Sequence, residues 1–170
     1  MFKWLVIFHL TCLSVVSVIS HHAGSSDGFA RVSNLPSGYI NYPSLGVAFK
    51  VHRERRNWSS AKLVCKNEGG RLAVIDTHEK IGYIKSHKPK FSEVWVGLSR
   101  EDVHWIATEN PESRHTRLPW ESNGPDSFGN CAAVNVRGDG LCNKVCIWRK
   151  AFACEIPTAT AVPYHVPNIV

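Results

Sequence analysis

Six cysteines constrain this 170-residue chain more than any other feature of its sequence. Cys12 lies in an apolar N-terminal stretch, and the others are Cys65, Cys131, Cys142, Cys146 and Cys154. In an oxidising compartment, such cysteines form disulfides that hold a small domain together. Because an odd number remains after Cys12 is set aside, one cysteine has no partner within the chain, and counting alone leaves the pairing open.

The first twenty residues predict secretion. Lys3 gives a positive start, residues 4–18 are almost wholly apolar, and small residues precede a cleavage point before His21. This is the layout of a secretory signal peptide over residues 1–20. The alternative is a membrane anchor, but polar residues interrupt a run that is already short for a membrane span. No later segment could cross a bilayer, so we expect a soluble, secreted, extracellular protein.

The charge balance favours anionic partners. The net charge is +6, and it becomes +5 when Lys3 is removed with the signal peptide. Such a charge suits acidic glycans, lipid A phosphates or anionic lipid. The alternative is a solvated surface that aids solubility, because the bases are spread out and their densest run is only residues 85–90. A secreted protein has little access to nucleic acid, so no nucleic-acid partner is expected.

Composition divides the rest of the chain into three parts. Residues 21–37 are small and polar and predict a flexible segment, and residues 158–170 predict an irregular tail. The folded unit is expected over residues 38–157. Its helices are predicted to start at Asn57 or Ser59 and at Thr77, and a long loop is predicted over 109–129. The predicted strands cover 47–52, 72–75, 94–98, 132–136 and 152–156. Early helices and late strands favour an α+β fold.

Several stretches of this unit share an order and spacing that one family uses. They are residues 46–52, 58–65, 68–75 and 95–98, the single residues Trp105 and Trp120, and the closing pattern Cys131, Cys146 and Cys154-Glu155. Each stretch alone is a weak signal, but their combination is specific. Residues 38–157 resemble a C-type lectin domain, and most of all the insect hemolymph lectins that bind lipopolysaccharide.

The resemblance implies a C-type lectin fold, with two helices, antiparallel sheets and a long binding loop. It also implies the disulfides Cys65–Cys154 and Cys131–Cys146, which leave Cys142 over. Three fates are then open for Cys142: a disulfide to a second chain that gives a covalent dimer, a shielded free thiol, or exchange with one of the bridges.

The resemblance also locates a calcium site and predicts that it is lost. Calcium requires about six to eight oxygen ligands. The family's ligand triplets and following glutamate align with Gly124, Pro125, Asp126, Gly129, Cys142 and Asn143. Of these, only Asp126 and Asn143 keep a side-chain oxygen, so they are the weak metal candidates and calcium binding is doubtful. Glu121, Asp139 or Asn123 could substitute only if the loops shifted.

Aromatic residues near this loop offer another binding surface. Trp120, Phe128 and Trp148 could stack on a sugar ring or an apolar ligand. The alternative is that the two tryptophans belong to the core; this is favoured for Trp120 and stays open for Trp148. Asn57-Trp-Ser59 is a possible N-glycosylation site, or Asn57 is an unmodified residue at the start of a helix.

Two functions remain after enzyme motifs are excluded. The chain has no His-Glu-x-x-His, no phosphate-binding glycine loop and no Gly-x-Ser-x-Gly, so we expect no enzyme. The first function is an innate-immune pattern-recognition lectin that binds microbial glycan or lipopolysaccharide. The alternative is a lectin-like domain that binds a protein partner as an immune modulator, without binding sugar.

Overall fold

The structure is a computed structural model that describes residues 35–108, 110–114 and 117–158. The expected signal peptide, most of the expected flexible segment and most of the expected tail lie outside the described residues. Within the described ranges, no helix is both long and apolar enough to traverse a bilayer.

The described chain contains two α-helices and nine strands. In chain order they are β1 (Ile40–Tyr42), β2 (Val47–Arg56), α1 (Trp58–Asn67), β3 (Arg71–Leu72), α2 (His78–His87), β4 (Val94–Glu101), β5 (His104–Ala107), β6 (Asn110–Arg114), β7 (Cys131–Val134), β8 (Leu141–Lys144) and β9 (Lys150–Pro157). A short 3-10 turn, Pro43–Leu45, joins β1 to β2.

The β2–β9 ladder lies at the centre of the strand pairing. β2 and β9 run antiparallel, from Val47 opposite Pro157 to Arg56 opposite Lys150. β1 pairs outside β2, while the other side of β9 pairs with β3 and, in parallel, with the start of β4. From β4 the sheet continues through β5 to β6, and separately through β7 to β8. The loop that precedes β7 therefore lies against the β7–β8 hairpin.

Both predicted helices are present, with the predicted caps. Asn57 Oδ1 accepts a hydrogen bond from Ser60 N at 2.8 Å, and Thr77 Oγ1 accepts one from Lys80 N at 3.4 Å. These bonds satisfy backbone donors that the first turn of a helix leaves free. After α1, Gly69 adopts a φ of +82°, a left-handed conformation that glycine reaches without strain.

Four details of the sheet differ from the sequence prediction. The predicted strand 72–75 is a strand only at Arg71–Leu72; Ala73 still donates to Ala153 O at 2.8 Å, but Val74 and Ile75 are buried outside any strand. The predicted loop 109–129 begins with strand β6. β8 was not predicted, because two of its four residues are polar. The sheet is also not wholly antiparallel, since β4 and β9 run parallel.

Two disulfides and a buried tryptophan hold the layers together. Cys65–Cys154 joins α1 to β9, and Cys131–Cys146 joins β7 to the segment after β8, each with a Cα–Cα distance of 5.3 Å. Both pairings that the resemblance implied are confirmed. Trp95 is fully buried, and its Nε1 donates to the carbonyl oxygens of Arg56 at 3.1 Å and Trp148 at 3.2 Å. The ends of β2 and of the loop before β9 are thus fixed to β4.

Candidate functional site

The long loop is anchored at its base on strand β8. Trp120 and Leu141 form an isolated parallel bridge. Leu141 N donates to Pro119 O at 2.9 Å, and Glu121 N donates to Leu141 O at 2.9 Å. Further along, the Gly124–Pro125 peptide bond is cis. The loop therefore holds the aligned calcium positions next to β8.

Asp126 and Asn143 bind each other directly. Asn143 Nδ2 donates to Asp126 Oδ1 at 2.8 Å, to Asp126 O at 3.1 Å and to Gly129 O at 2.9 Å. In return, Asn143 Oδ1 accepts a hydrogen bond from Asp126 N at 2.9 Å, and Phe128 N donates to Asp126 Oδ1 at 2.7 Å. The Phe128 N–H, followed by the Asn143 amide, lowers the pKa of Asp126. One oxygen of each residue, Asp126 Oδ1 and Asn143 Oδ1, thus already accepts hydrogen bonds within the protein.

An arginine that the sequence did not single out holds the other side of the loop. Arg100, in β4, donates from its guanidinium to Asp126 O and Ser127 O, each at 3.3 Å. It also donates to Asn130 Oδ1 at 3.1 and 2.9 Å. These hydrogen bonds from a charged donor fix the loop to β4.

The remaining calcium positions do not fit the ion either. Gly124 offers no side-chain oxygen, and the Cys142 side chain is buried, with only 3% of the residue exposed. Gly129 has a φ of +139°, and a Cβ there would collide with the Lys144 backbone. A glutamate at that position would therefore require the loop to move. With Arg100 bonded to two loop carbonyls as well, these residues do not fit a calcium ion.

Two of the three possible substitute ligands, Glu121 and Asp139, are committed to other contacts. Asn135 Nδ2 donates to Glu121 Oε2 at 2.8 Å and to Asp139 Oδ1 at 2.7 Å. Its Oδ1 accepts from the backbone of Gly138 at 2.7 Å and of Asp139 at 3.2 Å. The Asn135 amide therefore occupies the point where these two carboxylates meet.

A polar cleft opens beside the loop. It encloses about 290 Å³, and it is lined by Glu93, Glu121, Ser122, Asn123, Asn135, Val136, Arg137 and Lys144. Glu93 is held in place by ion pairs with Lys144, at 3.5 Å, and with Lys150. Sequence reasoning missed Glu93, Asn135 and Lys144, because they come from three separate segments that only the fold brings together.

The three candidate aromatic residues divide between core and surface. Trp120 is partly buried and packs on Trp105, with ring centroids 4.6 Å apart, as the core alternative predicted. Phe128 is 62% exposed and Trp148 is 44% exposed. Their ring centroids lie 6.3 Å apart, and Lys150 Nζ lies 5.0 Å from the Trp148 ring centroid. Phe128 and Trp148 therefore form an exposed aromatic pair.

Cys142 is a shielded free thiol in this structure. Its Sγ lies 3.5 Å from Ala133 O and 3.9 Å from Glu93 Oε1. Burial, and then the charge of Glu93, raise the pKa of the thiol to about 12. This environment favours the shielded thiol over a disulfide to a second chain.

We therefore expect Cys142 to resist a thiol reagent such as DTNB in the native protein and to react fully once the protein is unfolded. A buried thiol with a raised pKa presents almost no thiolate to the reagent. A non-reducing gel should show only monomer at every loading. A dimer band that reduction removes, or fast labelling of the native protein, would contradict this expectation.

Taken together, these elements define a class of protein. Two helices, the β2–β9 ladder, two disulfides and a long loop on the β7–β8 hairpin make a C-type lectin-like binding domain.

The chain belongs to the C-type lectin family, whose Lectin C-type domain model matches residues 54–156. It is 30% identical to the C-type lectin BJcuL of Bothrops jararacussu over 139 residues, which are 74% of this chain and 85% of that protein. It is 24% identical to the hemolymph lipopolysaccharide-binding protein of Periplaneta americana over 163 residues, 86% of this chain and 62% of that protein. A calcium-independent type II antifreeze protein has the same fold, with a TM-score of 0.63 and 22% identity over 73% of this chain and 95% of that one.

Proposed function

We propose that this protein is a secreted lectin that recognises microbial glycan or lipopolysaccharide without calcium and catalyses no reaction. The observation that carries the proposal is the polar cleft beside the long loop, which Arg100 and Asn143 hold by hydrogen bonds to its carbonyl oxygens. Family membership supports glycan binding, and the name of the cockroach relative supports lipopolysaccharide as a ligand class.

The cleft suits sugar hydroxyls. A hydroxyl both donates and accepts hydrogen bonds, and the cleft presents carboxylate acceptors from Glu93 and Glu121 beside amide and ammonium donors from Asn123 and Lys144. Because Glu93 and Glu121 are already fixed by neighbours, a sugar would not have to order them. The exposed Phe128–Trp148 pair adds an apolar face for a ring.

The hydrogen bonds around Asp126 support calcium independence. An ion at Asp126 Oδ1 would have to displace the Asn143 amide, and it would lie near the guanidinium of Arg100. Both changes would cost free energy, and Gly124 and Gly129 have no side-chain oxygen to offset it. The antifreeze protein named above is a precedent for this fold working without calcium.

We expect EDTA and excess calcium to leave both the melting temperature and glycan affinity unchanged. A ligand that binds only the folded state raises its melting temperature, so an unchanged curve means that no such ion binds. Isothermal titration against mannose, galactose and lipopolysaccharide, in calcium and in EDTA, measures the affinity. Calcium-dependent stabilisation or binding would contradict the proposal.

A matched pair of variants locates the ligand. Asn123→Ala removes an exposed amide that lines the cleft, and Asn67→Ala makes the same change at the end of α1. We expect the first to weaken glycan binding about fivefold, as for one lost hydrogen bond, and the second to have no effect. Equal affinities for the two variants would show that the glycan does not bind at Asn123 in the cleft.

A second candidate function is recognition of a protein partner. Ile147, 76% exposed, lies next in sequence to Trp148 and adds a further exposed apolar side chain to this segment. Exposed apolar patches mark protein interfaces. Absence of binding to every member of the glycan panel would make this the leading function, with an immune modulator as its form.

A further inference from the structure

Two shallow hollows adjoin on the segment that leads from α2 to β4. One encloses about 380 Å³ and the other about 190 Å³, and both are lined by Phe91 and Val136. Phe91 is 88% exposed, and Val136 is 43% exposed. We call these two residues the apolar ridge. This ridge exposes apolar surface to water, and its transfer into an apolar medium would be favourable.

Basic side chains surround the apolar ridge. The larger hollow is lined by Lys85, Lys88, Lys90 and Arg137, with no acid among the described residues that line it. The smaller hollow adds Arg55, Arg149 and Lys150. Its one carboxylate, Glu93, already pairs with Lys150 and Lys144. The surface as a whole is therefore cationic.

The backbone holds the ridge outward. Phe91 has a φ of +55°, in the left-handed region that aromatic residues rarely adopt. Lys88 Nζ donates to Ser92 O at 2.9 Å and to Val136 O at 2.7 Å, which ties the α2–β4 segment to the segment after β7. Since both partners of Lys88 are neutral carbonyls, its charge is not cancelled. Burial, and then the neighbouring charge of Lys85, lower its pKa, as expected where positive charges are crowded.

We propose that this surface docks on a lipid bilayer whose headgroups carry phosphate and a net negative charge. The apolar ridge inserts among the headgroups, and the surrounding bases contact their phosphates. The choice of partner rests on charge complementarity: the bases outnumber the acids, and Phe91, the most exposed large apolar side chain among the described residues, lines both hollows. Peripheral membrane proteins combine the same two features. This partner differs in chemistry from the glycan proposed for the cleft.

Sugar-free vesicles test the proposal independently of glycan binding. The mature protein is sedimented with vesicles of phosphatidylcholine alone and with vesicles of equal parts phosphatidylcholine and phosphatidylglycerol. We expect binding to the mixed vesicles only, weakening as salt screens the charges. Equal binding to both kinds of vesicle, or binding to neither, would overturn the proposal.

Paired variants separate the specific surface from net charge. Lys85→Gln with Lys90→Gln should weaken vesicle binding about thirtyfold, at about 1 kcal/mol for each base near an anionic surface. Lys62→Gln with Lys66→Gln removes the same charge from α1, which lines neither hollow, and should change binding far less. Equal losses in the two variants would reduce the effect to net charge and would sink the proposal.

The ridge has its own control. Phe91→Ser should weaken binding about tenfold through lost apolar burial, whereas Val103→Ser, at an 81% exposed valine between β4 and β5, should not. Both positions are exposed, so neither variant should fail to fold. Asn123→Ala should sediment like the wild type. If Phe91→Ser also binds like the wild type, no side chain inserts and the proposal fails.

Discussion

Replacing both Cys65 and Cys154 by alanine should lower the free energy of unfolding by about 4–5 kcal/mol, the larger of the two disulfide effects. The bridge spans 89 residues and joins α1 to β9, so its loss frees most of the domain in the unfolded state. Both cysteines are fully buried, so the smaller side chains also leave a cavity. Urea unfolding of the oxidised proteins measures the change.

The second disulfide provides the control. Cys131–Cys146 spans 15 residues, so replacing both by alanine should cost about 3 kcal/mol. The order of the two losses is therefore the test. If the short bridge proves the more important, chain entropy is not the main source of stability. Strain or unfolded-state structure would then have to explain the difference.

Trp95→Ala should cost at least 3–5 kcal/mol, as large-to-small changes of buried tryptophan do. The side chain is fully buried, and its N–H also donates to the carbonyls of Arg56 and Trp148. The variant should therefore lose glycan binding as well as stability, because the backbone that carries the exposed aromatic pair is released. Thermal unfolding and titration with lipopolysaccharide measure the two effects.

Two further variants separate packing from hydrogen bonding. Trp95→Phe keeps much of the apolar volume but removes the N–H, and should cost about 1–3 kcal/mol because two carbonyls lose a donor. Trp148→Ala changes a 44% exposed side chain and should cost less than about 1 kcal/mol. A Trp95→Phe protein as stable as the wild type would show that the indole N–H contributes nothing.

Local chemistry explains which parts of the fold could be predicted from the sequence. Both helices begin at a residue, Asn57 or Thr77, whose side chain accepts a hydrogen bond from the backbone N–H three residues later, so the sequence marks these starts locally. The disulfides could be assigned because family resemblance supplied an order that counting could not. By contrast, the parallel contact of β4 with β9 joins residues far apart in the chain, and no local pattern marks it.

The candidate site divides in the same way. The loss of the calcium ligands is a prediction that the sequence allows position by position, because Gly124 and Gly129 have no side chain. The contacts that hold the loop could not be predicted. Arg100 lies 26 residues or more before its loop partners, and nothing around it in sequence distinguishes it from other surface arginines. The cleft is likewise assembled from four separate segments, so its residues become a set only in the folded chain.

The β2–β9 ladder also determines how the domain can be displayed. Thr158 N donates to Gly46 O at 2.8 Å, so the start of β2 and the end of β9 lie side by side. Arg55, Arg149 and Lys150 lie toward the opposite end of the ladder, about 30 Å away at the usual rise of a strand. A tether attached near Gly46 or Thr158 would leave the surface around the apolar ridge pointing outward. Copies clustered on such tethers could engage a repetitive target together and gain avidity from weak individual contacts.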